Sequence, residues 1–171
     1  MASTFIERCK RAWRHWTSTA AKGRVAFPAE TLAEIGGAIT AGEQRHRGEL
    51  RLIVENSMPS DAIWADVSNR QRAIALFAEY GVWDTEDNCG VLVYINLAEH
   101  KVDIVVDRGI GRKIAHEVWQ EVCSTMTRGF AGGEFRASTL AAVERINSLL
   151  AEQFPATGSR ANELPDQPMV L

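Results

Sequence analysis

Residues 83–111 constrain the fold of this chain more than any other segment. They contain an acidic loop, an apolar run at 91–97, four turn residues at 98–101, a second apolar run at 102–107, and a glycine-containing entry into a helix. Because so few residues separate the two runs, they are predicted to pair as an antiparallel hairpin. A hairpin returns the end of its second strand to the start of its first, so Asp107 is expected to lie beside the acidic loop.

The surrounding segments predict one α/β domain. Glu49–Glu55 is predicted to be the first strand, and a helix over residues 60–81 connects it to the strand at 91–97. Such a strand–helix–strand unit takes a right-handed crossover, which makes its two strands parallel. Apolar periodicity also predicts helices over residues 28–45, 111–126 and 135–154. The sheet is therefore predicted to be small and mixed.

The N-terminal segment, residues 1–26, is predicted to be a basic amphipathic helix, with helical periodicity from about residue 4 to 21. One face carries Phe5, Cys9, Trp13 and Trp16, and the other carries Glu7, Lys10, Arg11 and Arg14. A basic helix with two tryptophans can lie on an anionic membrane surface. It can also pack on its own domain, and the sequence leaves both alternatives open.

The C-terminal segment, residues 155–171, contains three prolines and little apolar periodicity. It is predicted to be a flexible tail. The α/β domain is accordingly expected to occupy residues 27–154.

Composition excludes several classes of protein. The formal net charge of −3 gives no support for a protein that coats nucleic acid. Cys9, Cys89 and Cys123 are too widely spaced for a zinc site and indicate reduced thiols. No apolar run is long enough to span a bilayer, and basic residues interrupt the N-terminus where a signal peptide would be apolar. We therefore expect a cytoplasmic protein without a transmembrane segment.

The acidic loop is the strongest candidate for a ligand site. Asp84, Glu86, Asp87 and Asn88 provide four acid or amide side chains within five positions, and Asp107 is expected to approach from the neighbouring strand. Ca²⁺ and Mg²⁺ bind carboxylate and carbonyl oxygens of this kind. The competing interpretation is a solvated turn, in which Asp and Asn side chains bond to their own backbone. The ligand order of an EF-hand is absent.

Arg108 and Arg112 lie between the second hairpin strand and the next helix. Together with Lys113, they are candidates for binding the phosphate of a cofactor or substrate, with ordinary surface arginines as the alternative. A dinucleotide fingerprint is excluded, because Ile114 stands where a small residue is required. No nucleophile elbow or cysteine phosphatase spacing is present, so the sequence supports no covalent catalytic mechanism.

These residues resemble the TPM domain family, named for a thylakoid lumen protein, a photosystem II repair protein and a nematode receptor modulator. The resemblance rests on Asp87-Asn88 followed by Gly90-Val91-Leu92, a short polar turn, a V-x-I-x-V strand and its glycine-containing exit, and it extends over about residues 32–154. It implies a three-layer α/β/α sandwich, with helices on both faces of a small mixed sheet. It also implies a divalent-metal site at the loop end of that sheet.

Two functional hypotheses follow for what is expected to be a bacterial, cytoplasmic member of that family, peripheral to the inner membrane. The first is a metal-binding, non-catalytic interaction or assembly and repair factor near membrane complexes, whose N-terminal helix contacts a protein partner or an anionic membrane. The alternative is a metal-dependent acid phosphatase, which hydrolyses phosphomonoesters with metal-activated water and holds phosphate with Arg108 or Arg112. The expected ligands of Ca²⁺ or Mg²⁺ are Asp84, Glu86, Asp87, Asn88 and Asp107.

Overall fold

The computed structural model describes residues 4–158 and 162–171, and a mixed sheet lies at its centre. The strands are β1 (Glu49–Glu55), β2 (Gly90–Asn96), β3 (Lys101–Val106) and β4 (Met169–Val170), in the order β3-β2-β1-β4. β1 and β2 are parallel, and β2 and β3 are antiparallel. The predicted βαβ unit and hairpin are therefore confirmed.

Helices cover both faces of this sheet. Every residue of β1 and β2 is buried, as expected for strands that are packed on two sides. Alternate side chains, among them Leu52 and Val93, face a core shared with α3 (Ala29–Glu43), α7 (His116–Ala131) and α8 (Phe135–Gln153). The intervening side chains, including Leu92 and Tyr94, face α5 (Asn69–Glu79). This arrangement confirms the α/β sandwich.

The single helix predicted over residues 60–81 is wrong, because α4 (Ser60–Trp64) ends before α5 begins. Asp66 adopts a φ of 58°, which interrupts helical geometry. Ser68 then starts α5 with a capping box, in which its side chain accepts the Gln71 N–H and the Gln71 side chain binds back. Trp64 and Ile74, two apolar residues of this segment, are 50% and 49% exposed.

The helix predicted from residue 111 also begins elsewhere. A short helix, α6 (Arg108–Gly111), directly follows the hairpin, and α7 starts only at His116. The side chain of Asp107 accepts the Arg108 N–H and so caps α6.

The N-terminal segment forms two helices, α1 (Phe5–Thr17) and α2 (Ala20–Ala26), instead of one. α1 packs on the domain through its polar face, because His15 is buried and both Arg11 and His15 contact Glu99. Trp13 and Trp16 point outward and are 61% and 76% exposed. The helix therefore packs on its own domain, which is one of the two predicted alternatives, and it does so through Arg11 and His15 while its tryptophans face outward.

The C-terminal segment, predicted to be a flexible tail, contributes to the core and the sheet. Leu164 is buried, and Met169–Val170 pairs in parallel with β1. The Arg51 guanidinium donates hydrogen bonds to the carbonyl oxygens of Pro165 and Gln167 and holds the segment against β1. Residues 1–3 and 159–161, which belong to the two predicted terminal segments, lie outside the described residues.

None of the helices in the described parts of the chain has the length and apolar character needed to cross a bilayer.

Candidate metal site

The acidic loop and Asp107 lie at the same end of the sheet. Glu49 at the start of β1 pairs with Gly90 at the start of β2, and Val91 pairs with Val106 at the end of β3. The Asp107 N–H donates to the Gly90 carbonyl at 2.9 Å and extends this ladder by one residue. We call this the loop end, defined by residues 84–88 and 107. The opposite end, at turn residues 97–100, is the hairpin end.

Asp107 is a buried carboxylate with incomplete hydrogen bonding. Its residue is 8% exposed, and its Oδ1 atom accepts the Arg108 N–H at 2.6 Å. Its Oδ2 atom is buried and has no hydrogen-bond partner among the described residues. Buried polar atoms are almost always satisfied, because desolvating them without a partner costs free energy. This oxygen therefore points to a ligand or water at the loop end.

The loop backbone packs directly against α6. A Cβ atom added at Gly109 would lie 2.4 Å from the carbonyl oxygen of Asn88 and 3.2 Å from that of Asp87. Only glycine permits this approach, which brings two carbonyl groups beside the helix that Asp107 caps. Asn88 has a φ of 54°, a left-handed conformation that asparagine tolerates well.

The acidic side chains of the loop do not all converge. Asp87 Oδ2 lies 3.2 Å from Arg47 Nη1 in a half-buried ion pair. Asp84, Glu86 and Asn88 are exposed. Across residues 4–158 and 162–171, no three His, Cys, Asp or Glu side chains are grouped closely enough to hold an ion. The structure thus brings Asp87 and Asp107 to one end without assembling the five predicted ligands.

The two predicted phosphate-binding arginines lie near this end, on the surface of the protein. Arg108 and Arg112 are both exposed. Their neighbour Lys113 is used structurally, because its Nζ donates to the Gln153 carbonyl at 3.0 Å and lies 4.4 Å from the centre of the Phe154 ring.

Sequence reasoning missed a polar cavity of about 420 Å³ at the loop end. Its lining includes Thr40, Glu43, Arg47, Glu49 and Asp166. Burial, together with the nearby carboxylates of Glu49 and Asp166, raises the pKa of Glu43 to about 8. Burial also raises the pKa of Glu49. The sequence did not indicate this cavity, because Asp166 belongs to the C-terminal segment that was predicted to be a flexible tail.

Arg47 was also missed, although it is the cation beside Asp87. Its Nε atom is buried and has no hydrogen-bond partner in the described parts of the chain. The sequence signal was weak, since Arg47 stands in a polar stretch between a helix and a strand.

The one cysteine at this end does not provide a nucleophile. Cys89 is 1% exposed, and its Sγ donates to the Asp87 carbonyl at 3.2 Å. Burial and the negative charge of Asp87 raise the pKa of the thiol. Because the reactive form of cysteine is the thiolate, a buried thiol with a raised pKa is inert.

Known proteins share the fold of this chain. The TPM domain profile matches residues 25–149. The NMR structure of the BA42 protein from the psychrophilic bacterium Bizionia argentinensis aligns with a TM-score of 0.74 and 24% identity, over 84% of this chain and 94% of that chain. That protein shares the fold. No curated protein matches the sequence.

Proposed function

This chain belongs to the TPM domain family, and we propose that it is a divalent-metal-binding module that acts as a non-catalytic interaction or assembly and repair factor near membrane complexes. The cation would be Ca²⁺ or Mg²⁺ and would bind at the loop end. The observation that carries this proposal is the buried Oδ2 atom of Asp107, which has no partner among the described residues.

The donors near Asp107 suit a hard cation. The carboxylates of Asp107 and Asp87 and the carbonyl groups of Asp87 and Asn88 are all oxygen ligands, which Ca²⁺ and Mg²⁺ prefer. Asp87 Oδ2 pairs with Arg47 Nη1 in a half-buried ion pair, so a cation bound there would take the place of Arg47. Asp84 and Glu86, exposed on the same loop, complete the proposed ligand set.

The chemistry of the described residues favours a binding role over catalysis. Cys89 is buried and its thiol has a raised pKa. The cavity beside the loop is also lined by the carboxylate of Asp166, whose negative charge disfavours a phosphate dianion there.

The alternative is a metal-dependent acid phosphatase. Arg108 and Arg112 are exposed next to Asp107, and Arg47 has an Nε atom without a partner among the described residues. These groups would orient the oxygens of a phosphomonoester, and the bound cation would supply Lewis-acid activation of water.

A partner for the N-terminal segment is part of the proposal. α1 and α2 would contact a protein or an anionic membrane surface, and the protein would then be peripheral to the inner membrane on its cytoplasmic side. The exposed tryptophans of α1 support a contact of this kind.

The experiment that tests metal binding is a thermal melt in Ca²⁺ or Mg²⁺ compared with a melt in EDTA. A ligand at 100 times its Kd adds about 2.7 kcal/mol to the free energy of unfolding, so Tm of the unsubstituted protein should rise. Asp107→Asn should lose this rise, because it removes the charge of the unpartnered oxygen and keeps the cap on α6. Asp61→Asn, on the exposed start of α4, is the control and should keep it.

An equal rise in Tm for Asp107→Asn and Asp61→Asn would refute the site. A separate assay distinguishes the alternative. Metal-dependent release of phosphate from an aryl phosphate, lost in both Asp107→Asn and Arg108→Ala, would establish the phosphatase and contradict the non-catalytic role.

A further inference from the structure

The outer surface of α1 and α2 is unusually apolar for an exposed surface. Together with Trp64 of α4, we call it the aromatic face, and its members are 50–81% exposed: Phe5, Ile6, Trp13, Trp16, Val25 and Trp64. The rings of Trp13 and Trp16 meet edge to face at 5.3 Å, and Trp16 and Trp64 line one shared depression. Exposed tryptophans grouped in this way mark an interaction site.

Buried polar contacts on the inner side of α1 hold the aromatic face outward. Glu99 lies in the hairpin turn and its side chain is 2% exposed. It accepts hydrogen bonds from Arg11 and from His15 Nε2, the latter at 3.0 Å. The Met58 N–H donates to His15 Nδ1 at 3.1 Å, which leaves the proton on Nε2. The Arg11 guanidinium also donates to the Val67 carbonyl at 2.6 Å. These contacts of Arg11 and His15 fix the inner side of α1, so the helix cannot turn its tryptophans inward without breaking this cluster.

The charge around the aromatic face identifies its partner. Residues 4–27 contain six Lys or Arg residues and one acid, Glu7, in a chain whose net charge is −3. Arg8 and Arg11 are turned inward toward Asp66. The exposed cations are Lys10, Arg14, Lys22 and Arg24. Tryptophan interleaved with exposed Lys and Arg is the composition of a surface that lies at the interface of an anionic bilayer.

A cavity next to this face has a lining that suits part of an anionic lipid. Its volume is about 570 Å³, and it lies between α1, α2, the hairpin turn and the start of α8. Its walls include Val25, Leu97 and Phe135, and Arg14 and Lys22 contribute cations. An apolar cavity of this size with a few charged groups is typical of a small-molecule site. Apolar walls beside two cations fit an acyl chain joined to a phosphate.

We propose that the aromatic face docks on an anionic phospholipid bilayer, with Trp13 and Trp16 in the headgroup region and the phosphate of one lipid held between Arg14 and Lys22. The docking surface lies at the hairpin end, and the seven-residue strand β1 separates it from the loop end. At about 3.3 Å per residue, the metal site proposed above lies about 20 Å from the membrane and faces the aqueous phase. The docking rests on the part of the proposed function that gives α1 and α2 a partner, and the orientation rests in addition on the proposed metal site.

Co-sedimentation with vesicles tests the docking. The vesicles contain equal parts of phosphatidylglycerol and phosphatidylcholine, with pure phosphatidylcholine as the neutral comparison, all in EDTA. The protein should bind the anionic vesicles and not the neutral ones. Cations near an anionic surface attract it, so reversing two of them in Arg14→Glu with Lys22→Glu should weaken the partition coefficient at least about tenfold. Trp13→Ala with Trp16→Ala should weaken it to a similar extent.

Matched controls distinguish vesicle binding by the aromatic face from nonspecific adsorption of the protein. Trp83→Ala removes a tryptophan that is 54% exposed at the loop end, and Arg145→Glu reverses an exposed charge on α8. Neither should change vesicle binding by more than about twofold, since neither residue belongs to the aromatic face. Equal losses in the controls and in the α1 variants would overturn the proposal, as would equal binding to both kinds of vesicle.

Two further measurements exclude other occupants and test the orientation. Failure to bind vesicles, together with a dimer that the Trp13→Ala and Trp16→Ala changes dissociate, would assign the face to a second copy of the chain and overturn the proposal. Brominated lipids should quench a variant that keeps Trp13, Trp16 and Trp119, and should not quench one that keeps Trp83 and Trp119. Quenching of the second variant would contradict the orientation.

The proposed metal site and the proposed docking surface can be refuted independently of each other. Asp107→Asn should dock as well as the unsubstituted protein in EDTA, even where it has lost the Ca²⁺ response. Docking without any Ca²⁺ or Mg²⁺ response in the unsubstituted protein would refute the proposed metal site and leave the docking surface standing.

Discussion

Two buried carboxylates, Glu99 at the hairpin end and Asp107 at the loop end, differ in how completely they are bonded. Glu99 accepts hydrogen bonds from Arg11, His15 and Lys101. Burial alone would raise its pKa, but these three bonds outweigh burial and hold the pKa well below the ordinary value of a glutamate. Asp107 has one oxygen bonded to the Arg108 N–H and one oxygen without a partner among the described residues.

Burial alone therefore does not identify a ligand site. Glu99 is saturated and serves to attach α1, so it has no capacity left for a cation. Asp107 is unsaturated and lies beside backbone carbonyl groups, so it can accept a cation. The surfaces of the two ends differ as well. The hairpin end is basic and aromatic, whereas the loop end carries the acidic loop and the acidic cavity.

The largest expected effect tests Glu99 as the attachment point of α1. Glu99→Ala leaves Arg11 and His15 without their acceptor, and breaking a buried ion pair costs about 3–5 kcal/mol. The free energy of unfolding in urea should fall by that amount, and α1 should become sensitive to protease. Arg45→Ala breaks the exposed pair with Glu144 and should cost less than about 0.5 kcal/mol. A similar cost for both variants would contradict the contrast between a buried and an exposed pair.

The second prediction concerns the protonated carboxyl of Glu43 at the loop end. Its pKa is about 8 in the folded protein and 4.5 in an unperturbed glutamate. The folded state therefore binds more protons than the unfolded state between these values, and stability falls as the pH rises through this window. The expected loss between pH 5 and pH 8 is about 3 kcal/mol.

Urea unfolding at the two pH values measures this slope. Glu43→Gln should flatten it, because an amide keeps the acceptor for the Leu50 N–H without ionising. Glu121→Gln, at an exposed position on α7, should leave it unchanged. A slope that persists in Glu43→Gln would assign the pH dependence to another group.

The smallest expected effect tests the contact between the loop and α6. Gly109→Ala places a methyl group against the carbonyls of Asn88 and Asp87, and overpacking of this kind costs about 1–3 kcal/mol. It should also weaken the Ca²⁺-induced rise in Tm, because the loop must move away from Asp107. At Gly111 the nearest atom to an added Cβ is Val106 Cγ2 at 3.9 Å, so Gly111→Ala should fold normally and keep the metal response. If Gly109→Ala and Gly111→Ala have the same stability and the same Ca²⁺-induced rise in Tm, the contact between the loop and α6 is not part of the metal site.

The strands and their pairing were predictable from sequence because they depend on local patterns. Glu49–Glu55 has the predicted bounds, and β2 and β3 each differ from prediction by one residue. The break between α4 and α5 also had a local signal, since Ser68 and Gln71 form a capping box. That signal was overlooked because the apolar pattern continues across it.

The orientation of α1 and the course of residues 162–171 depend on distant partners. Helical periodicity reveals the stripe of Trp13 and Trp16 but not which side of the helix faces the body. The deciding residue, Glu99, lies 84 residues beyond His15 in the chain. Likewise, β4 consists of only two residues and forms because β1 has a free side and Arg51 binds the preceding segment. The hairpin pairing of β2 with β3 made it predictable that the five candidate metal ligands would lie at one end of the sheet. Their spacing in the sequence could not show whether their side chains point toward one another.

The pairing of β4 has a consequence for self-association. In the order β3-β2-β1-β4, the short strand β4 covers the side of β1 that β2 leaves open. Without β4, β1 would be a long apolar edge strand, and its unpaired N–H and C=O groups would form a template for another chain. The pairing joins Ile53 to Met169 and Val54 to Val170 across a large separation in sequence, so it is expected to form late in folding. Residues 165–171 thus shield the central sheet from aggregation, and chains whose folding is interrupted before this step should be the ones that aggregate.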